Sequence, residues 1–172
     1  IITMEDPIEY IHRHRSAIVT QREISIDTPG YLDALRSALR ESPDVIFLGE
    51  MRDYDTMYSA LIAAETGVLV FSTLHTSGAA DTISRIVDVF PDKEQARVQL
   101  AQVLKAVVCQ QLVPSTEEDD NGNQIRIPVF EILKVTDAVQ NIIRENKVNQ
   151  LDSVMQSGMS EGMCTMDGSL LK

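Results

Sequence analysis

Three polar clusters, each directly after an apolar run, contain residue types that could bind a metal ion, activate water and contact phosphate. They are Glu5-Asp6-Pro7-Ile8-Glu9, Gly49-Glu50-Met51-Arg52-Asp53 and Thr73-Leu74-His75-Thr76. Carboxylate oxygens hold Mg²⁺, often with water between, and a carboxylate can also act as the general base for an attacking water. Arginine, histidine and hydroxyl groups can bind phosphate oxygens. Together these residue types indicate a protein driven by a nucleotide.

Each cluster by itself also has a structural explanation. The run Val45-Ile46-Phe47-Leu48 before an acidic segment matches the Walker B pattern, but any strand that ends in a polar turn can look the same. The Asp6-Pro7 step favours a turn, and a single histidine such as His75 often serves only as a structural hydrogen-bonding residue. The combination argues for function, because ligands of open parallel sheets bind outside the carboxyl ends of the strands.

The elements that would carry these clusters are predicted from apolar periodicity and turn residues. Four strands are predicted at residues 1–4, 17–26, 45–48 and 68–74, all but the second as buried strands. Helices are predicted from Thr28-Pro29 to before Pro43, at 54–66, at 79–89 and at 93–106. Strands that alternate with helices indicate an α/β fold with a parallel sheet, which would bring the three clusters to one edge.

The last third of the chain follows a different pattern. Residues 107–113 and 125–133 are predicted as a strand pair, joined by an acidic stretch at 115–124 whose Asn-Gly step indicates a solvated hairpin turn. Two helices follow. The apolar residues that share one face of each are Val139, Ile142 and Ile143 in the first and Val148, Leu151, Val154 and Met155 in the second.

The composition excludes some classes of partner. The 172 residues carry a formal net charge of -11, with a pI of about 4.6, whereas a nucleic-acid-binding protein needs a basic surface. We therefore expect no nucleic acid partner. No apolar run approaches the roughly 20 residues of a membrane-spanning helix. The cysteines, Cys109 and Cys164, form no Cys-x-x-Cys pair, which favours a reducing cytoplasm.

Several segments together resemble one family. TMEDPIEY at 3–10 is similar to the acidic box of the secretion and type IV pilus ATPases, and LGEMRD at 48–53 is similar to their atypical Walker B segment. The segment from Ala63 to Pro91 resembles their histidine box and the helix after it. The similarity is strongest to the ATPases of pilus retraction, because AVQNIIRENKV at 138–148 resembles the C-terminal segment linked to retraction.

The resemblance implies a fold and a domain organisation. It implies a partial RecA-like P-loop NTPase core, a parallel sheet flanked by helices, with a C-terminal hairpin and a helical tail. Residues 1–134 would be the C-terminal part of the RecA-like ATPase domain, and residues 135–172 a helical C-terminal segment.

The resemblance also implies a role for each matching residue. Glu50 would hold Mg²⁺ through water, Glu9 would be the general base, and His75 would be the retained histidine of its box. Arg52 and Arg85 would face phosphate or a neighbouring subunit, where a positive charge stabilises the transferring phosphoryl group. The further residues expected to bind the ATP cofactor are Glu5, Asp6, Thr73 and Thr76.

Three positions depart from the family pattern or have a simpler explanation. Val68 stands where the histidine box has its first histidine, so we expect a phosphate or subunit contact to be missing. Gln140 stands where the retraction segment has an arginine. For Arg85 the alternative is an ion pair with Asp81 or Asp88 along the same helix.

The phosphate-binding loop is the largest departure. Such a loop needs a Gly-Lys step whose lysine reaches the phosphates, and no Gly-Lys dipeptide occurs in the 172 residues. In the family that loop precedes the acidic box. We therefore expect the chain to be the C-terminal part of a longer motor protein and to hydrolyse little ATP by itself.

The leading hypothesis is a hexameric, cytoplasmic, Mg²⁺-dependent ATPase that hydrolyses ATP to drive type IV pilus retraction and twitching motility. It would act at the inner face of the cytoplasmic membrane and reach the membrane only through partners such as the platform protein of the pilus. Two alternatives stay open. One is a non-catalytic regulatory or docking module of such a motor, which Val68 and Gln140 favour slightly. The other is a related secretion or pilus-assembly ATPase, which the lack of a cysteine-rich zinc site disfavours.

Overall fold

The computed structural model describes residues 1–118, 122 and 124–171. The chain divides into two compact units, Ile1–His75 and Thr76–Lys172. The predicted division into a RecA-like part at 1–134 and a helical segment at 135–172 follows the resemblance and stays a prediction. No helix in the described part of the chain is long and apolar enough to span a bilayer.

The first unit is a parallel four-stranded sheet with helices in its connections. The strands are β1 Ile2–Glu5, β2 Thr20–Glu23, β3 Val45–Leu48 and β4 Leu69–Ser72, in the order β2-β1-β3-β4. The helices are α1 Tyr31–Ala38 and α2 Tyr54–Glu65, and a 3-10 turn at Leu39–Glu41 follows α1. The predicted α/β fold with a parallel sheet and flanking helices is confirmed.

Alternating residues of the strands build the core of this unit, because successive side chains of a strand point to opposite faces. The residues that pack together between one face of the sheet and the helices are Ile2, Met4, Ile46, Leu48, Ala34, Leu35, Ala38 and Ala60. Leu35 is fully buried, and burying a leucine side chain contributes roughly 1.5–3 kcal/mol. The opposite face presents Thr3, Phe47 and Phe71 to a cleft.

Two predictions about strand burial are wrong. The apolar run of β3 predicts burial on both faces, whereas Ile46 and Leu48 are fully buried and their neighbours only partly. The run of β4 predicts a buried strand, whereas Leu69 is 46% exposed and Phe71 is 53% exposed. The helices of this unit pack on one face of the sheet, and β4 is one of its two edge strands. Within the described residues these apolar runs are therefore not buried on both sides.

The second unit combines a long antiparallel hairpin with helices. The hairpin strands are β5 Ala106–Glu118 and β6 Gln124–Lys134. The helices are α3 Ala79–Asp88, α4 Lys93–Val103, α5 Asp137–Arg144, α6 Leu151–Ser157 and α7 Met166–Leu170, with 3-10 turns at Val148–Gln150 and Met159–Glu161. Of the predicted acidic turn, Asp119, Asp120, Asn121 and Asn123 lie outside the described residues.

The predicted apolar face of the first tail helix is confirmed. The face predicted for the second is confirmed for Leu151 and Met155, whereas Val154 is half-buried and Val148 lies in the 3-10 turn before α6. Val139 and Ile143 of α5 are fully buried, as is Leu151 of α6, and Met155 is 1% exposed. Helix α7 is an addition that periodicity did not predict, because its five residues are too few to show a helical repeat. Its N-terminus is capped locally, since the hydroxyl of Thr165 accepts a hydrogen bond from the nitrogen of Gly168 at 3.1 Å.

Several elements are shorter than predicted, and for two of them a local backbone conformation sets the C-terminal end. The strand expected at 17–26 ends with β2 at Glu23, because Ser25 adopts the left-handed conformation (φ 69°) that interrupts an extended chain. The helix expected at 93–106 ends with α4 at Val103, because Leu104 has extended backbone angles.

Candidate active site

A cleft of about 1130 Å³ lies along the open face and the carboxyl end of the sheet in the first unit. Seven of the predicted site residues line it: Glu5, Asp6, Glu9, Glu50, Arg52, Thr73 and His75. The other two, Thr76 and Arg85, belong to the second unit. The parallel order of the strands thus brings the acids at the end of β1, the glutamate after β3 and the histidine after β4 to one cleft.

Backbone hydrogen bonds continue past the strand ends and hold the three clusters side by side. The nitrogen of Gly49 donates to the carbonyl of Met4 at 2.8 Å, and the nitrogen of Met51 donates to the carbonyl of Thr73 at 3.1 Å. The hydroxyl of Thr73 donates to the carbonyl of Gly49. These bonds make the segment around Glu50 a well-defined part of the sheet edge rather than a free loop.

Gly49 is required by this close approach. A Cβ at position 49 would lie 3.1 Å from the carbonyl oxygen of Met4 and 3.1 Å from the hydroxyl oxygen of Tyr31. Both distances are shorter than ordinary van der Waals contact. Glycine therefore lets β3 run close to β1 and to α1 at the point where the chain turns Glu50 into the cleft.

The carboxylate of Glu50 lies between two positively charged or ionisable side chains. Its Oε1 is 2.5 Å from the guanidinium of Arg52, and its Oε2 is 3.7 Å from Nε2 of His75. Only 12% of the Glu50 side chain is exposed, against 72% for Arg52 and 90% for His75. The hydrogen bond to Glu50 raises the pKa of the Arg52 guanidinium above its ordinary value. Solvent screens such an exposed pair, so Arg52 and His75 can move to a ligand at little cost.

Glu5 is held by its neighbours within the sheet. Its Oε1 accepts hydrogen bonds from the hydroxyl of Thr3 at 2.5 Å and from the amide of Gln21 at 3.0 Å. The Gln21 amide also donates to the carbonyl of Tyr10 at 2.9 Å. Glu5 thus links β1 to β2 and to the loop that carries Glu9, which gives it a structural task beside the predicted nucleotide contact.

Asp6 and Glu9 are the more accessible acids of the first cluster. Both are exposed, and both line the cleft. The oxygens of an exposed carboxylate are accessible to water or a ligand, whereas the Glu5 carboxylate already accepts hydrogen bonds from two donors. Of the three acids, Asp6 and Glu9 are therefore the better placed to meet a ligand.

Thr76 and Arg85 are described within the second unit only. The hydroxyls of Thr76 and Thr82 are hydrogen-bonded at 2.7 Å. Arg85 is exposed on α3, and the two expected partners on its helix are engaged elsewhere. Asp88 pairs with Lys93 at 2.6 Å, and Asp81 accepts a hydrogen bond from Ser77. Arg85 forms none of the ion pairs found among the described residues, so the alternative of a local ion pair for Arg85 is wrong in this structure.

Arg13, Arg15 and Tyr31 are among the lining side chains that were not predicted as site residues. Arg13 and Arg15 follow the acidic cluster in an exposed loop, and Tyr31 is the first residue of α1. The alternation of histidine and arginine at 12–15 was a visible signal for the loop. Tyr31 had none, because a tyrosine at the start of an amphipathic helix resembles an ordinary core residue.

Glu50 does not belong to an all-protein metal cage. In the part of the chain that the structure describes, no three histidine, cysteine, aspartate or glutamate side chains are grouped to hold a metal ion. Mg²⁺ usually keeps several waters and takes one or two carboxylates together with nucleotide phosphates. A single, mostly buried carboxylate at the edge of an open cleft fits that water-mediated mode.

Comparisons with known proteins agree over nearly the whole chain. The family model described as type II/IV secretion system protein matches residues 1–166. The twitching motility protein of Neisseria gonorrhoeae is 52% identical over 172 residues, which are 99% of this chain and 45% of that protein. The type IV pilus retraction ATPase PilT of Pseudomonas aeruginosa is 50% identical over 169 residues, 97% of this chain and 47% of that one.

The structural comparison leads to the same group. The crystal structure of the pilus retraction motor PilT with bound ADP matches with a TM-score of 0.88 at 50% identity and covers 99% of this chain and 47% of that one. This chain spans about half the length of the curated relatives it matches. The resemblance to the secretion and pilus ATPases is confirmed, and the chain belongs to the type II/IV secretion system protein family.

Proposed function

We propose that the chain is the C-terminal part of an ATPase that drives type IV pilus retraction, and that the cleft of the first unit is one wall of its hydrolytic site. The observation that carries this proposal is the meeting of Glu50, Glu9 and His75 in one cleft. The similarity to a retraction ATPase at 50% identity supports the same activity. The match to a motor with bound ADP supports a nucleotide as the ligand.

Each side chain of the cleft has a proposed task. Glu50 orients water beside the nucleotide, and Glu9 accepts the proton of the attacking water, since its carboxylate is exposed to the cleft. Mg²⁺, when bound through water at Glu50, would neutralise charge on the phosphate oxygens. Arg52 and His75 turn from Glu50 towards the phosphates, where they balance the charge that develops during transfer.

The other predicted residues have supporting tasks. Asp6 contacts the nucleotide or its water shell, while Glu5 and Thr73 keep the edge of the sheet in shape through their hydrogen bonds. Thr76 and Arg85 of the second unit contact phosphate or a neighbouring subunit. The exposed position of Arg85 on α3 is compatible with a contact in trans.

A phosphate-binding loop from outside the 172 residues is part of this proposal. The chain itself contains no Gly-Lys step, and the relatives are about twice as long. The open face beside Phe71 and Leu69 leaves apolar surface that further parts of the same protein would cover. We therefore expect the 172-residue chain alone to show almost no ATPase activity.

The proposed assembly and location follow from the proposed activity. The complete protein would form a hexamer in the cytoplasm and act at the inner face of the cytoplasmic membrane. Its partner there would be the inner-membrane platform protein of the pilus. We do not propose nucleic acid as a partner, because the net charge of -11 opposes binding to a polyanion.

Exchange of Glu50→Gln in the full-length protein tests the hydrolytic site. We expect kcat for ATP to fall by a factor of about 100 or more, as for removal of one key electrostatic group, while ADP binding measured by calorimetry changes little. The control is Glu65→Gln, an exposed residue at the end of α2. Unchanged kcat in the Glu50 variant would remove the proposal that this cleft hydrolyses ATP.

A gene deletion tests retraction against the alternatives. Cells without a retraction ATPase are expected to carry excess pili and to lose twitching motility. Cells without pili would instead support the assembly ATPase. The docking module would be supported if the deletion left the ATPase activity of a separate pilus motor unchanged and altered only how that motor is regulated.

A further inference from the structure

Tyr31 connects the core of the first unit to its acidic edge. It is the first residue of α1, and its ring packs against the buried cluster of the sheet and helices. Its hydroxyl extends to the carboxyl end of β3, where a Cβ on Gly49 would lie 3.1 Å from the hydroxyl oxygen. The hydroxyl therefore stands over the peptide that leads directly into Glu50.

The surroundings of this hydroxyl are acidic. Burial raises the pKa of Tyr31 above its ordinary value, and the negative charges of Glu50, Asp6 and Glu5 raise it further, while Arg52 acts in the opposite direction. A phenol hydroxyl can donate a hydrogen bond, whereas a carboxylate can only accept one.

Packing alone does not explain the hydroxyl. A phenylalanine would fill the same space against the core cluster, whereas the oxygen of Tyr31 crowds Gly49 and places a polar group among acids. A polar group that is partly removed from water at such a position costs free energy unless it makes a hydrogen bond. Packing in the core therefore explains the ring of Tyr31, and its hydroxyl needs an explanation in the site.

We propose that Tyr31 is a positioning residue of the hydrolytic site, whose hydroxyl, close against Gly49, fixes the path of the Gly49–Glu50 segment and thereby the orientation of Glu50 that water activation needs. This inference rests on the proposed ATPase function. Tyr31 acts through Glu50 and touches no reacting atom. Loss of its hydroxyl is therefore expected to change the chemical step and the Mg²⁺ requirement, and to leave nucleotide affinity in place.

The test is Tyr31→Phe in the full-length protein, with Tyr58→Phe as the control. Tyr58 is 43% exposed and its ring stacks on that of Tyr54, a contact that the phenylalanine ring of the control variant keeps. We expect Tyr31→Phe to lower kcat about tenfold, equivalent to about 1.4 kcal/mol, and to raise the Mg²⁺ concentration for half-maximal activity severalfold. KM for ATP and the melting temperature should stay close to those of the wild type.

The outcomes separate this inference from the proposed function. Wild-type kcat and Mg²⁺ dependence in Tyr31→Phe, together with an inactive Glu50→Gln variant, overturn the inference and leave the ATPase proposal standing. A joint change of kcat and KM with a lower melting temperature means a purely structural role and also overturns it. An inactive wild-type protein removes the proposed function, and the inference falls with it.

A second measurement tests the geometry without activity. Gly49→Ala introduces a Cβ that meets the Tyr31 hydroxyl and the Met4 carbonyl. We expect it to lower the melting temperature less in a Tyr31→Phe background than in the wild type, because one of the two contacts is then gone. Equal losses in both backgrounds would show that the hydroxyl does not stand over Gly49.

Discussion

Replacement of Glu131 offers a test of how the second unit is held together. Glu131 lies in β6 and is only 8% exposed. Its Oε1 accepts a hydrogen bond from the backbone nitrogen of Ala79, the first residue of α3, at 2.7 Å. Gly78, the N-cap residue of α3, has no side chain that could cap the helix. A carboxylate from a distant strand therefore takes the place of a local cap.

The magnitude follows from the contacts. A hydrogen bond to a charged acceptor contributes roughly 1.5–3 kcal/mol, and a negative charge at a helix N-terminus adds about 0.3–1 kcal/mol. Glu131→Ala also leaves a small cavity and an unsatisfied buried N–H. We expect a loss of about 3 kcal/mol in the free energy of unfolding. Glu131→Gln keeps a neutral acceptor for Ala79 and should lose only about 1 kcal/mol.

The assay is urea or thermal unfolding of the 172-residue chain, followed by circular dichroism. A loss of about 3 kcal/mol corresponds to roughly 6–12 °C in melting temperature for a chain of this size. The matched control is Glu161→Ala, an exposed glutamate of the same unit, for which about 0.5 kcal/mol or less is expected. Equal stabilities for the alanine and glutamine variants of Glu131 would refute the capping argument.

Three further predictions concern the core, the thiol and the exposed ion pair. Leu35→Ala should lower the free energy of unfolding by about 2–5 kcal/mol, because Leu35 is fully buried; a loss below about 1 kcal/mol in urea unfolding would contradict its place in the core. Burial raises the pKa of Cys109 above the ordinary 9.0, so the buried thiol stabilises the fold fully below pH 9.0 and this stabilisation is lost as the pH rises further. Cys109→Ala should therefore reduce the decline of the free energy of unfolding at alkaline pH. An unchanged decline in the variant would contradict this assignment to Cys109. Arg52→Ala should change the free energy of unfolding by less than about 0.5 kcal/mol, because solvent screens the exposed side chain. The same variant should lower kcat in the full-length protein. A large loss of stability would mean that the ion pair with Glu50 is structural.

Local patterns were sufficient for much of the fold. The apolar run before Glu50 predicted β3, Thr28-Pro29 and the leucine spacing predicted a helix over the region of α1, and alternating strands and helices predicted a parallel sheet. These features depend on side-chain periodicity and turn residues, which are local properties of a chain. Strand and helix ends were less accurate, because single backbone conformations such as that of Ser25 set them.

The candidate site was predictable in its members and not in its contacts. Strand ends in a parallel sheet meet at one edge, so the clusters that contain Glu5, Glu50 and His75 were expected to come together from the sequence. The contacts of Glu5 and Gly49 depend on the tertiary structure. Thr3 and Gln21 donate hydrogen bonds to Glu5, and the hydroxyl of Tyr31 lies close to Gly49.

The sequence by itself therefore determined most of the elements, the types of residue at the strand ends and the family, since each depends on local spacing and motifs. Only the tertiary structure decided that β4 keeps an exposed face, that Glu131 caps a helix 52 residues away in the chain, and that Tyr31 stands over the glycine before Glu50. The physical reason is that burial and hydrogen bonding depend on which elements pack together. The apolar run before Glu50 was therefore enough to predict it as a site residue, whereas its contacts depend on the fold.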